Sequence, residues 1–162
     1  MEVKTMPYNP FDTPIGEALT ASDLQMLISR SVSEGYYVEY KSQMVAKDKI
    51  AKSIASFANT YGGWYFIGIE ADKLQNIVTN ISGFDLSTCP DPIATVREVV
   101  KSHITPIPVF FPQVITLTAD LLVLVVYIPG EQDTPFITKD GRIYRRVADS
   151  SDPVPEKGSI CR

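Results

Sequence analysis

The residues of this chain with the chemistry to act on a phosphate are Glu34, Glu39, Lys41, Glu70 and Asp72. Carboxylates delivered by neighbouring strands can share a Mg²⁺ or Mn²⁺ ion, which takes oxygen ligands and can polarise a phosphate or activate water. The expected catalytic set is Glu34, Glu39, Lys41 and Glu70, and the expected metal ligands are Glu34, Glu39, Glu70 and Asp72. Lys41 follows Glu39 by two positions and so shares its face on a strand, where it could contact a phosphate. Glu34 and Glu39 are an odd distance apart, which on one continuous strand puts them on opposite faces. They can serve one site only if Glu34 lies off the strand, which Gly35 permits. The alternative is a solvated loop Glu34 beside a surface Glu39–Lys41 pair.

The elements that position these groups can be read from pattern. Residues 36–42 read as a strand carrying Glu39 and Lys41. In the run KIAKSIASFANTYGGWYFIGIE, residues 49–70, the apolar side chains Ile50, Ile54, Phe57 and Ala58 recur at helical spacing. Gly62 and Gly63 supply the left-handed backbone that ends the helix and reverses the chain. Residues 64–69 then suit a buried strand that ends at Glu70.

Around this unit, Ser22 and Gln25 fit a capping box for an earlier helix with Leu24, Leu27 and Ile28 inside. Residues 77–81 read as a short strand. Asp91 and Pro92 start a third helix that ends before Pro106. Residues 109–117 and 121–128 form an antiparallel pair, and 135–147 a hairpin turning at Asp140-Gly141. The expected fold is a single α/β (α+β) domain, a mixed sheet with about three helices packed mainly on one face. Residues 1–14 read as an extended N-terminal arm, 15–148 as the domain, and 149–162 as a tail or linker.

Composition excludes several classes. No apolar run reaches membrane-spanning length and no signal peptide is visible, so a cytoplasmic protein without membrane partners is expected. Cys89 and Cys161 lack the spacing of a disulfide framework or zinc site. The net charge of -4 argues against a whole surface made for nucleic acid. Its distribution leaves room for a groove: Lys41, Lys47, Lys49 and Lys52 form one basic cluster, and Lys139, Arg142, Arg145 and Arg146 another. Expected phosphate contacts are Lys41, Lys49, Lys52, Arg145 and Arg146.

Other residues have two readings. Tyr36, Tyr37, Tyr40, Tyr61 and Trp64 could stack on bases or pack across strands. Asn59 and Thr60 read as a polar helix end, and His103 as a cation suited to a helix C-terminus.

The motifs Glu39-Tyr40-Lys41, Ser56-Phe57-Ala58-Asn59-Thr60-Tyr61-Gly62-Gly63 and Ile67-Gly68-Ile69-Glu70 together resemble the Schlafen AlbA_2 domain. Ile104-Thr105-Pro106 and Ile143-Tyr144-Arg145-Arg146 resemble that family's later landmarks. The resemblance implies a nucleic-acid-associated domain (DNA or RNA), of a kind often found ahead of ATPase or winged-helix regions in prokaryotic regulators. Vertebrate relatives include acidic-residue-dependent endoribonucleases. Their acidic set has two glutamates five apart and a third acidic residue after the second strand, which Glu34, Glu39 and Glu70 or Asp72 match. The leading expectation is a nucleic-acid-binding domain needing no cofactor, with homo-oligomerisation left open. The alternatives are a Mg²⁺- or Mn²⁺-dependent endoribonuclease and a protein-interaction module without nucleic-acid binding.

Overall fold

The structure, a computed structural model, describes residues 6–133 and 135–155. The start of the arm (residues 1–5), Thr134, and residues 156–162 with Cys161 lie outside the described residues. Among the described residues there are three α-helices, α1 (Ala21–Ser29), α2 (Lys47–Ala58) and α3 (Pro92–His103). The strands are β1 (Val38–Lys41), β2 (Gly62–Ile67), β3 (Glu70–Ala71), β4 (Val78–Asn80), β5 (Phe84–Asp85), β6 (Ile104–Thr105), β7 (Phe111–Thr116), β8 (Leu121–Pro129), β9 (Ile137–Thr138), β10 (Tyr144–Val147) and β11 (Ser150–Pro153).

The central sheet is mixed, as expected. β1 runs parallel to β2 because α2 provides the crossover, while β2, β5 and β7 all pair antiparallel with β8. Alternation along β2 sorts its bulky residues onto two faces. Tyr65 and Ile67 join Ile50, Ile54, Phe57, Val96, Val100 and Leu124 in a core under α2 and α3. Trp64 and Phe66 join Leu24, Leu27, Val38, Tyr40 and Val125 on the other side, under α1. Two of the three helices, α2 and α3, therefore cover one face, and α1 covers the other. The arm completes the second face: Phe11 is buried, edge-on to Trp64 and Phe66.

Local signals worked with small displacements. α1 does carry a capping box, but on Thr20 and Asp23. The Asp23 carboxylate accepts from the Thr20 N–H at 2.8 Å, and that bond, with the Thr13 and Thr20 hydroxyls, holds its carboxyl below the ordinary range despite some desolvation. β2 begins at Gly62, not Trp64. Gly62 has φ +74°, and a Cβ there would lie 2.3 Å from the Gly130 nitrogen and 2.5 Å from the Ile128 oxygen, so only glycine fits. Ser150–Pro153, expected in the tail, is β11: it pairs antiparallel with β10 through Arg146↔Ser151. No described helix is long and apolar enough to cross a membrane.

Candidate nucleic-acid interface

The acidic residues do not assemble as expected. Glu34 lies off β1, as the parity argument required, but its carboxylate accepts from the Tyr40 N–H at 3.0 Å. That N–H points away from the sheet, because the carbonyls of Tyr37, just before β1, and of Lys41 accept from β2 and the turn after it, and Tyr40 has the opposite parity. Glu34 thus closes the outer edge of β1. Burial pushes its carboxyl above the ordinary carboxylate range, against the pull of the Tyr40 N–H bond, with the Glu39 charge adding to the rise.

Glu39 faces the opposite way, into the core under α2, and is 6% exposed. Its Oε2 accepts from the Ser53 hydroxyl at 2.5 Å and its Oε1 from Arg146 Nη1 at 2.7 Å. The Arg146 guanidinium also donates to the carbonyls of Gly35 at 2.7 Å and Val38 at 3.2 Å, and lies 4.4 Å over the Phe57 ring. Arg146 Nε and the Tyr65 hydroxyl are buried without a hydrogen-bond partner among the described residues. Burial, with the Glu39 carboxylate nearby, pushes the Tyr65 phenol far above its ordinary range.

These contacts correct two expectations. Glu39 is not available as a metal ligand or catalytic base, because freeing it would strand a buried guanidinium. Arg146 cannot contact a phosphate, because its side chain has no exposed surface. Glu34, Lys41, Glu70 and Asp72 do share an open cavity of about 560 Å³. There Asp72 accepts from the Leu74 N–H, and Glu70 from the Asn80 amide. Among the described residues no three acidic, histidine or cysteine side chains come together to hold a metal ion. The expected ligand set of Glu34, Glu39, Glu70 and Asp72 therefore does not fit one.

The polar end of α2 is saturated in the same way. Asn59 donates to the carbonyls of Phe136 and Tyr144 and accepts from the Phe136 N–H. Thr60 accepts from the Arg146 N–H, and Ser56 bonds Ser151 across to β11. Asn59 and Thr60 are structural, as expected, but they clamp the C-terminal strands rather than cap the helix. Serines at positions 53 and 56 on the buried side of α2 are the signal that a polar partner lies opposite.

The lysines behave differently. Lys49 and Lys52 from α2 and Lys139 from the turn between β9 and β10 line one cleft of about 230 Å³. His103, at the end of α3, and Tyr144 complete it, and Lys52 Nζ sits 5.3 Å from the Tyr144 ring centre. Asp48 and Asp140 are the acidic residues of the lining. Although desolvation opposes it, the Thr138 and Tyr144 hydroxyls and the Arg142 N–H keep the Asp140 carboxyl below the ordinary range, so it stays ionised. α2 begins here, and its N-cap, Ala46, offers no side-chain acceptor to the first N–H groups. Lys41 and Arg145 lie outside this cleft, Arg145 exposed on β10. His103 was read only for its place at the helix end; its part in the cleft depends on a contact across the fold that spacing does not reveal.

The aromatic residues divide. Tyr40 and Trp64 are core, while Tyr36, Tyr37 and Tyr61 are exposed and adjoin one another.

The family described as Schlafen, AlbA_2 matches residues 34–155. No curated protein matches the chain in sequence. The solution structure of the N-terminal domain of a Nitrosomonas europaea protein, described as related to the ATP-dependent DNA helicase RecG, is similar with a TM-score of 0.53 and 22% identity, over 90% of this chain and 99% of that one. A crystal structure from Corynebacterium diphtheriae gives 0.48 and 22% over 82% of this chain, which spans only 27% of that protein.

Proposed function

We propose, from the premise that this chain belongs to the Schlafen AlbA_2 family, that it binds the phosphate backbone of nucleic acid in the cleft of Lys49, Lys52 and Lys139. The observation that carries this is convergence: Lys49 and Lys52 from α2 and Lys139, remote from them in sequence, line one cleft. They do so beside a helix start whose leading N–H groups lack a side-chain cap, a further attraction for an anion. Three lysines against two aspartates make a modest site, suited to backbone contacts that position a strand without reading its sequence.

The test is a fluorescence-anisotropy titration with duplex DNA, single-stranded DNA and hairpin RNA at rising salt. Three phosphate contacts predict affinity falling roughly 40-fold between 50 and 200 mM salt. The double variant Lys49→Glu/Lys52→Glu should abolish binding. Absence of binding at low salt, or a variant indistinguishable from the parent, would overturn the proposal. Repeating the RNA arm with Mn²⁺ tests cleavage, which the engagement of Glu39 argues against.

A further inference from the structure

We propose that a second cleft, at the opposite end of α2, binds an extended proline-containing peptide from a partner protein. Its walls include Tyr8, Tyr37, Tyr61, Tyr127, Pro129 and Glu131, enclosing about 440 Å³. The tyrosines are unusually open for rings in mutual contact. Tyr8 stacks on Tyr37 at 5.1 Å, Tyr37 lies 6.1 Å from Tyr61, and Tyr61 lies 5.8 Å from Tyr36. Their exposures are 37% for Tyr8, 39% for Tyr37, 55% for Tyr61 and 42% for Tyr36. Apolar ring faces left this open are surface available to a partner.

Charge selects the class of partner. Among the described residues no lysine or arginine lines the cleft, and its one charged residue is Glu131. A nucleic-acid strand would bring phosphates with nothing to pair them, whereas stacking sites for single strands combine aromatics with a cationic groove. A neutral or basic peptide suits the lining.

The chain's own arm displays the recognition chemistry. Pro7 and Tyr8 form part of one wall, and Trp64 Nε1 donates to the Tyr8 carbonyl at 2.9 Å. Proline-rich segments dock in aromatic-lined grooves, where their preformed polyproline II helix lowers the cost of ordering. Such segments make no internal hydrogen bonds, so their carbonyls are free to accept from the hydroxyls of Tyr37, Tyr61 and Tyr127, which have no partner among the described residues. Burial pushes the Tyr127 phenol above its ordinary range, which keeps it a donor. The basic cleft lies near the other end of α2, a helix about 18 Å long, so the two sites are independent.

The chain holds a single tryptophan, and Trp64 lies behind the arm at this cleft. The full chain is titrated with decaproline while tryptophan fluorescence is followed, with an oligothymidine in parallel. Decaproline should give a saturable change. Tyr61→Ala and Tyr37→Ala should each weaken binding about tenfold, as loss of an aromatic anchor does. Lys49→Glu/Lys52→Glu should leave peptide binding unchanged while removing nucleic-acid binding, so failure of one site is distinguishable from failure of the other. Because Tyr61 is largely exposed, its variant is expected to fold, and a parental urea midpoint confirms that. No fluorescence change at millimolar decaproline would overturn the proposal, as would Tyr61→Ala binding decaproline like the parent. Oligothymidine competing for the cleft and weakened by Tyr61→Ala would instead make it a base-stacking site.

Discussion

The two ends of α2 are equally rich in polar side chains and use them in opposite ways. At the start, Lys49 and Lys52 stand over a cleft with no carboxylate within salt-bridge distance among the described residues. Toward the end, Ser53, Ser56, Asn59 and Thr60 each hold a partner on β1, β10, β11 or the segment before β9. The helix is the same; what differs is what lies across from it. Buried polar groups must be satisfied within the protein, so at the closed end every functional-looking residue becomes a fastener. At the open end charge remains for a ligand. A motif rich in polar residues is evidence of a site only where those residues are left unpaired.

The comparison breaks first, and hardest, at Arg146. Arg146→Ala strands the buried Glu39 carboxylate and should cost about 3–5 kcal/mol, read from urea unfolding. A loss below about 1 kcal/mol would mean the closed end is not a saturated network. Asn59→Ala leaves the Phe136 N–H and two carbonyls without their partner and should cost about 1–3 kcal/mol by the same measurement. At the open end, Lys49→Glu/Lys52→Glu should move stability by no more than about 1 kcal/mol, most of it from the Lys52–Tyr144 contact. A large loss there would show that those lysines are also structural.

Local chemistry was the legible part. The helix–glycine–strand unit around Gly62, the Asp91-Pro92 helix start and the Asp140-Gly141 turn follow from φ preferences and periodicity, which act over a few residues. The family resemblance and the mixed α+β fold were legible for the same reason. Partnership was not. Alternation puts Glu39 on one face of β1, and a charge facing a core needs a counter-charge. Nothing local says which of 15 lysines and arginines supplies it. For Lys49 and Lys139, pattern shows two clusters but not that the β9–β10 turn folds back over α2. Ser150–Pro153 looked like a tail because its residues are poor strand formers; pairing with β10 overrides that propensity.

The bond from Arg146 to Glu39 also orders events in time. It spans 107 positions, and the bond from the same guanidinium to the Gly35 carbonyl spans 111. At ordinary rates of synthesis, about 5–20 residues per second, β1 waits roughly 5–20 s on the ribosome before its counter-charge is made. Until then the Glu39 carboxylate must stay hydrated, and α2 cannot close over it without burying an unpaired charge. The buried pair beneath α2 is therefore complete only once β10 has been made and has reached the sheet.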